Sequence, residues 1–285
     1  MLKRILTAAV ALAILIPILL FAPDLAVQGV FTLLTAIAIY ELATVTGIRK
    51  EYGYWIPIGV VLVLGQWFMT DLLGRFSMTI RDADPETILL IFTAVYLVFR
   101  FKKLNVTDAL CFFALAFYAA KGFDALEELC LQGDALSVWG SGVSVQIDRV
   151  LLWVALSIPW VADSLAYFAG RFFGKRKLCP DISPKKTIAG AVGGVVGTGV
   201  VYGSLYGIFG GPELSGIAVA AVAAMCLAVA SIFGDLFASV VKRHYGVKDY
   251  GNLFPGHGGV MDRFDSTIPV ALLMTLALPA LSIRY

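Results

Sequence analysis

Long apolar runs alternate with short polar segments along this chain, and nine of the runs are candidates for membrane-spanning helices. A helix needs roughly 17–25 residues to cross a hydrocarbon layer about 30 Å thick. The runs are apolar at nearly every position, whereas the strands of a membrane β-barrel alternate in polarity every second residue. The pattern therefore predicts helices, with the approximate limits Ile5–Phe21, Leu25–Val45, Trp55–Leu73, Glu86–Phe99, Ala109–Ala125, Val150–Phe173, Thr187–Gly210, Ser215–Val241 and Thr267–Ile283.

Composition places the chain among integral membrane proteins. Of its 285 residues, 59% are hydrophobic and only 15% are charged, whereas soluble domains carry about 25% charged residues. We therefore predict an all-α integral membrane protein, a polytopic bundle of about nine transmembrane helices. Residues 1–149 would form an N-terminal transmembrane region of about five helices that acts as a scaffold and contributes dimer contacts. Residues 150–285 would form a C-terminal region of about four helices that carries the functional site.

The basic residues predict the orientation of these helices. If the N-terminus is cytoplasmic, most of the 22 Lys and Arg residues fall on the inner side of nine spans, in agreement with the positive-inside tendency. The first run, which follows Lys3 and Arg4, has the alternative interpretation of a cleaved signal peptide. We favour a retained helix, because Ala22-Pro23-Asp24 is not a small-x-small cleavage site and nine spans fit the charge distribution.

Charge and cysteine patterns exclude two other classes of site. The net charge of +2 averages over a polarised molecule, and no segment interleaves cations with aromatic residues as a nucleic-acid-binding surface does. We therefore expect no nucleic-acid partner. The four cysteines show no paired spacing, so neither a disulfide framework nor a zinc site is predicted.

Two carboxylates lie inside apolar runs. Asp163 is eight residues before Arg171, and Asp235 is seven residues before Lys242, which places both about 10–12 Å inside the inner end of their helices. A charged carboxylate at mid-membrane costs roughly 2.5–3.5 kcal/mol on insertion scales, so each needs a compensating partner. We expect the two to converge on one pocket, although Asp163 has the alternative interpretation of a polar contact between helices.

The segment around Asp235 adds further polar groups at helical spacing. Ser239 and Lys242 follow Asp235 at i+4 and i+7, so one helix face carries an acid, a hydroxyl and a cation. The loop after this helix contributes cations, carboxylates and an imidazole, namely Lys248, Asp249, His257, Asp262, Arg263 and Asp265. If the chain is helical there, Asp262 and Asp265 share a face. Together with Asp235 they offer the hard oxygen ligands that Mg²⁺ takes while it keeps waters and binds substrate phosphates.

Glycines in the same loop favour phosphate binding. Gly256, Gly258 and Gly259 have no side chain, so their N–H groups can approach a phosphate closely. The loop is not a Walker A motif, because the Gly-x-x-x-x-Gly-Lys-Ser/Thr pattern is absent from the sequence.

The segment from Ser239 to Asp265 resembles the signature of phosphatidate cytidylyltransferases, also called CDP-diacylglycerol synthases. It reads Ser-x-x-Lys-Arg-x-x-x-x-Lys-Asp-x-Gly-x-Leu-Phe-Pro-Gly-His-Gly-Gly-Val-x-Asp-Arg-Phe-Asp. Two further segments, Asp163 to Arg171 and Ser183 to Gly190, are similar to the same family. The second departs from the family, which commonly has Trp-Glu where this chain has Ile188-Ala189, so the role of that Glu is not transferred.

The resemblance implies a definite chemistry. Members of this family transfer CMP from CTP to phosphatidic acid and form CDP-diacylglycerol and pyrophosphate at the inner face of the membrane. They use a divalent cation, usually Mg²⁺, as one or two ions, and the paired metal ligands correspond to Asp235 and Asp262. The resemblance also implies a homodimer, and the absence of a large N-terminal extension favours a bacterial inner membrane.

The charges of the chain suit this reaction. Because CTP and the lipid phosphate repel each other, catalysis requires neutralisation and in-line positioning. We expect metal binding by Asp235 and Asp262, with Asp249 and Asp265 as further acidic candidates. We expect phosphate binding by Lys242, Arg243, Lys248, Arg263 and His257, the last with the alternative of a loop hydrogen bond. Further substrate-binding candidates are Asp163, Tyr167, Ser183, Lys185, Lys186, Thr187, Ser239, Gly258 and Gly259.

Two local features have a structural interpretation, and two other functions are alternatives to this one. The segment from Ser183 to Thr187 could simply cap the seventh helix, and Gly190, Gly194 and Gly197 are expected to allow close helix packing. A CTP-dependent lipid kinase would use the same substrates but release CDP instead of pyrophosphate. An ion-coupled transporter also uses carboxylates inside the membrane, but the long basic loop with Gly-His-Gly-Gly favours phosphate chemistry.

Overall fold

The computed structural model describes residues 16–19, 22–47, 106–131, 149–254, 256 and 258–282. Within these ranges the chain is mostly helical. Its elements are α1 (Asp24–Val45), α2 (Val106–Leu131), α3 (Val150–Phe173), β1 (Lys177–Cys179), β2 (Ser183–Thr187), α4 (Ile188–Phe209), α5 (Leu214–His244), α6 (Met261–Phe264) and α7 (Thr267–Ser282).

Five of the described helices are long and apolar enough to cross a membrane: α1 from Ala26 onward, α2, α3, α4 and α5. They confirm the second, fifth, sixth, seventh and eighth predicted runs. The predicted last run corresponds to α7, which is apolar over Thr267–Leu278 and shorter than the others. Three predicted runs lie outside the described residues, namely Trp55–Leu73, Glu86–Phe99 and all of Ile5–Phe21 except residues 16–19. The count of nine and the orientation therefore stay predictions.

The surfaces of the long helices carry large apolar side chains. Phe172, Phe209 and Leu214 are 72%, 75% and 80% exposed. Soluble domains expose few large apolar side chains to this extent, whereas helices in a bilayer present them to lipid. The exposure pattern therefore agrees with membrane-embedded helices.

The described residues belong to two compact units. The first contains those of Met1–Asp124 and Tyr245–Arg263, and the second contains those of Ala125–His244 and Phe264–Tyr285. In the first unit, the buried side chains of Val27, Leu42 and Phe123 form part of the core. In the second unit, α4 packs against α3 and α5, and α7 packs against α5 and α3. The division at residue 150 that the sequence predicts stays a prediction.

Glycines bring α3 and α4 into close contact. A Cβ atom added at Gly190 or Gly194 would lie 2.8 Å from the carbonyl oxygen of Ala166 or Ala162, and one added at Gly197 would lie 2.7 Å from the side chain of Leu165. At Gly190 and Gly194 any larger residue would force the helices apart, because a Cβ cannot approach a carbonyl oxygen so closely, whereas at Gly197 the Leu165 side chain would have to move. The predicted role of these glycines in helix packing is confirmed.

A short antiparallel hairpin connects α3 to α4 and was not predicted. β1 pairs with β2 so that Lys177 lies opposite Thr187 and Cys179 opposite Ser183. Pro180 and Pro184 lack an N–H and disfavour helix in the residues before them, so the basic connection is extended rather than helical. The chain is therefore mostly helical rather than all-α.

Candidate functional site

The second unit holds an ion pair between Asp235 on α5 and Lys186 on β2. The distance from Lys186 Nζ to Asp235 Oδ2 is 2.5 Å, and the two side chains are 23% and 30% exposed. The pair supplies the compensating charge that a carboxylate in an apolar helix requires. Lys186, predicted to bind substrate, is thus an immediate neighbour of the predicted metal ligand Asp235.

A second ion pair joins Lys242, in the last turn of α5, to Asp265, just before α7. Lys242 Nζ lies 3.7 Å from Asp265 Oδ2, and the side chains are only 13% and 11% exposed. Burial raises the pKa of Asp265 from 3.8 to about 6; the negative charge of Asp235 adds to this rise and Lys242 opposes it. The Ser266 hydroxyl donates to Asp265 Oδ1 at 3.2 Å. This acid is therefore largely ionised at pH 7, and it is held by one cation and one hydroxyl.

Asp163 completes this group of charges. It lies on α3 within electrostatic range of both Lys186 and Asp235. The structure thus brings Asp163 and Asp235 together, as their depth in the helices predicts. We refer to Asp163, Lys186, Asp235, Lys242 and Asp265 as the acid–lysine cluster.

Close packing at Gly234 holds α5 against the start of α7. A Cβ atom at Gly234 would lie 2.5 Å from the carbonyl oxygen of Asp265 and 2.5 Å from Pro269 Cγ. Only glycine allows this approach, and it brings the neighbouring Asp235 into electrostatic range of Asp265. The local sequence Gly-Asp is therefore part of how the cluster forms.

The hairpin and the cap of α4 position Lys186. Thr187 is the N-cap of α4, and its hydroxyl accepts a hydrogen bond from the Gly190 N–H at 3.1 Å. The predicted capping role of this segment is confirmed. Ser183 is half-buried on β2 and Lys185 is exposed. Successive side chains of a strand point to opposite faces. Lys186 therefore points towards Asp235, and Lys185 points to the other face of the strand.

The first unit contains the glycine-rich loop and Asp262. Asp262 is buried, and its Oδ2 accepts hydrogen bonds from Tyr250 N–H at 2.7 Å and Gly259 N–H at 2.9 Å. Gly258 has a φ of +82°, and a Cβ there would meet the Asp262 carboxylate. Glycine is therefore required at 258. The Gly259 N–H thus already donates to Asp262 within the protein. The phosphate contacts predicted for Gly258 and Gly259 stay predictions.

The condition under which Asp262 and Asp265 would share one helix face is not met. α6 ends at Phe264, and Asp265 lies in the turn before α7. The Asp265 carboxylate also accepts a hydrogen bond from the backbone of Ser266, and a local bond from side chain to backbone of this kind competes with helical backbone. The two acids therefore do not share the face of one helix.

Sequence reasoning missed Glu41, which lies on α1 in the first unit. Its side chain is buried, and its two carboxylate oxygens accept hydrogen bonds from the N–H groups of Val260 and Met261, both at 2.9 Å. A signal was available, because Glu41 is the acidic residue inside the apolar run Leu25–Val45. An ionisable residue in such a run marks a functional position by default.

The remaining predicted residues occupy more accessible positions. Ser239 is half-buried on α5, and Tyr167 is exposed on α3, where its hydroxyl accepts a hydrogen bond from Arg171 at 3.0 Å. Four other predicted residues near the end of α5 and in the loop are also exposed, namely Arg243, Lys248, Asp249 and Arg263. His257 lies outside the described residues.

The donor chemistry suits a magnesium ion in part. Among the described residues, no three His, Cys, Asp or Glu side chains are grouped closely enough to hold a metal ion. Mg²⁺ is usually bound by one or two carboxylates together with waters and substrate phosphates. Hard oxygen donors of this kind are present in each unit taken by itself, as the carboxylates of Asp235 and Asp265 in the second and of Asp262 in the first.

The chain matches the family model described as "Cytidylyltransferase family" over residues 2–281. It is 30% identical to the phosphatidate cytidylyltransferase of Staphylococcus saprophyticus over 282 residues, which cover 96% of this chain and 98% of that protein. It is 42% identical to the phosphatidate cytidylyltransferases of Bacillus subtilis over 121 residues and of Thermotoga maritima over 122 residues. The latter two alignments cover 42% and 41% of this chain, and the chain spans less than half of those relatives, 44% and 45% of their lengths.

Proposed function

Because the chain belongs to the cytidylyltransferase family, we propose that it is a phosphatidate cytidylyltransferase, a membrane-bound nucleotidyltransferase. It would transfer CMP from CTP to phosphatidic acid and release pyrophosphate. The observation that carries this proposal is the acid–lysine cluster, which combines carboxylates with lysines at the end of membrane-embedded helices. The match to a phosphatidate cytidylyltransferase over nearly its whole length supports the choice of substrates.

The reaction is a substitution at the α-phosphorus of CTP. A phosphate oxygen of phosphatidic acid forms the new P–O bond, the bond between the α-phosphorus and the bridging oxygen breaks, and pyrophosphate leaves with that oxygen. Both reactants are anions, so the protein must neutralise charge and align the attacking and leaving oxygens. Lys186 and Lys242 are suited to this task, because each already neutralises a carboxylate and is held in place by it.

Asp235 and Asp262 would hold Mg²⁺, as one or two ions, with Asp265 and Asp249 as further acidic support. A bound magnesium ion would supply positive charge to the triphosphate. Lys242, Arg243, Lys248 and Arg263 would bind phosphate oxygens, and the arginines could do so with two parallel hydrogen bonds. His257 would donate to a phosphate or to the departing pyrophosphate. The other proposed substrate contacts are Asp163, Tyr167, Ser183, Lys185, Lys186, Thr187, Ser239, Gly258 and Gly259.

We also propose the finer points of the membrane arrangement. Nine transmembrane helices with a cytoplasmic N-terminus would leave the basic segments, and the site, on the cytoplasmic side of a bacterial inner membrane. Membrane lipids would surround the apolar helix faces, and the protein would act as a homodimer.

A product assay tests the reaction. Purified protein is incubated with α-labelled CTP and phosphatidic acid, and label should appear in CDP-diacylglycerol only while a divalent cation is present. Label in CDP and phosphorylated lipid without label would instead identify a lipid kinase. Asp235→Asn should lower CMP transfer by about 100-fold or more, because it removes a charge from the reacting centre.

The matched control is Asp181→Asn, which makes the same change in the exposed turn between β1 and β2. It should retain wild-type activity. If Asp235→Asn is as active as the control at saturating Mg²⁺, the proposed role of Asp235 in metal binding is wrong.

A further inference from the structure

We propose that Glu41 is a positioning residue that fixes the backbone of the loop carrying Asp262. This inference concerns only the first unit, and its catalytic consequence rests on the proposed function. Glu41 lies 219 and 220 residues before its two partners, Val260 and Met261. The contact is therefore made only in the folded chain.

The geometry of the contact is specific to a carboxylate. Glu41 Oε1 accepts from the Val260 N–H and Glu41 Oε2 accepts from the Met261 N–H, each at 2.9 Å. Two successive backbone donors are thus matched by two acceptor oxygens. An amide of the same size would offer one oxygen, and its NH₂ group would face the second N–H donor.

The surroundings of Glu41 are built to admit its side chain. The residue is only 5% exposed. A Cβ atom added at Gly251 or Gly259 would overlap the Glu41 carboxylate. Two glycines of the loop therefore leave the space that this acid occupies. Burying a carboxylate is costly, and hydrogen bonds from two N–H groups to a charged oxygen pair offset that cost.

The contact bears directly on Asp262. Glu41 fixes residues 260 and 261, and Asp262 Oδ2 accepts from the N–H groups of Tyr250 and Gly259. The two carboxylates are also close enough to interact electrostatically. The backbone on the N-terminal side of Asp262 is therefore held by Glu41, so a change at Glu41 should move Asp262 without touching substrate.

Hydrogen exchange of the full-length protein in detergent tests the structural half of the proposal. In Glu41→Gln, amides of the loop should exchange about tenfold faster or more, because a hydrogen bond to a charged group is lost and a donor is left facing a donor. Amides of α4 and α5 should be unchanged. Thr44→Val is the matched control on the same helix, since the Thr44 hydroxyl is exposed and donates only to the Tyr40 carbonyl oxygen.

Activity tests the functional half. Glu41→Gln should lower kcat for CMP transfer by about tenfold or more and raise the Mg²⁺ concentration needed for half-maximal activity, while the KM for phosphatidic acid changes little. Glu41→Asp keeps both oxygens on a shorter side chain and should recover part of the kcat and part of the loop protection.

Three results separate the possible failures. Loop exchange in Glu41→Gln that equals wild type overturns the proposal. Faster exchange across the whole chain, with kcat per folded molecule unchanged, would show a general role in stability and would also overturn it. If wild-type protein does not transfer CMP but loop exchange still rises in Glu41→Gln, the positioning of the loop stands and the proposed function fails.

Discussion

Replacing Lys242 with methionine should destabilise the protein in a strongly pH-dependent way. Methionine keeps the length and much of the apolar surface of the lysine stem, so the change removes mainly a charge. Asp265 then faces Asp235 without the cation that lies 3.7 Å away in the wild-type protein. The predicted cost comes from ionising Asp265 in a buried site.

The magnitude follows from the distance and the burial. Two unit charges 3.7 Å apart attract each other by about 4.5 kcal/mol at an effective dielectric constant of about 20. Removing one partner of a buried ion pair costs about 3–5 kcal/mol in measured cases. Without the lysine, the pKa of Asp265, which is about 6 in the wild-type protein, would rise by up to about 3.

The sign of the pH dependence is fixed by these pKa values. The folded-state pKa of Asp265 is raised above its ordinary value of 3.8, so its ionisation destabilises the fold, and stability falls as pH rises from about 4 to about 6. In Lys242→Met the fall should continue to higher pH. The difference in unfolding free energy between the two proteins should be near zero at pH 5, about 0.8 kcal/mol at pH 6.5 and about 3 kcal/mol at pH 8.5.

Unfolding by SDS in mixed micelles, followed by the fluorescence of the five tryptophans, measures this difference. Asp265→Asn and the double variant Lys242→Met with Asp265→Asn complete a double-mutant cycle. The double variant should lose the pH dependence. If the difference in unfolding free energy between the wild type and Lys242→Met is constant from pH 5 to pH 8.5, the reasoning is refuted. A constant difference could not arise from the ionisation of Asp265.

Two further substitutions probe the packing around the cluster. Gly234→Ala should lower stability by about 1–3 kcal/mol, because the new Cβ meets the Asp265 carbonyl oxygen; Gly29→Ala, with nothing within 4 Å of its Cβ, should instead raise stability by about 0.5–1 kcal/mol. Equal thermal midpoints for these two variants would contradict the close approach at Gly234. Thr187→Val should cost about 1 kcal/mol through loss of the hydrogen bond from Gly190, whereas Thr187→Ser should retain it; a fall in the thermal midpoint of Thr187→Ser with none in Thr187→Val would assign the effect to the methyl group instead.

The sequence predicts the long helices well because burial in lipid imposes one simple requirement. A helix that satisfies its own backbone hydrogen bonds must present apolar side chains throughout, and that pattern is visible without knowledge of tertiary contacts. The same reasoning locates Asp163 and Asp235, since a carboxylate stands out in an apolar run. Helix capping by Thr187 is also local, because it involves residues only three positions apart.

The features that the sequence did not reveal depend on contacts between distant residues. Glu41 acquires its meaning only when Val260 and Met261 reach it. Lys242 was predicted to bind phosphate, but its pairing with Asp265 depends on how α5 meets the turn before α7. The hairpin before α4 was missed because its strands are short and highly charged, which is atypical of strands.

The glycines along α4 have a consequence for the lipid environment of the protein. Lipid tails are as apolar as leucine side chains, so helices in a bilayer gain little by hiding apolar groups from one another. Where Gly190 and Gly194 meet α3, peptide groups touch peptide groups, and this attraction does not depend on which fatty acids surround it. The basic hairpin that α3 and α4 support should therefore keep its place when the saturation or length of the surrounding acyl chains changes.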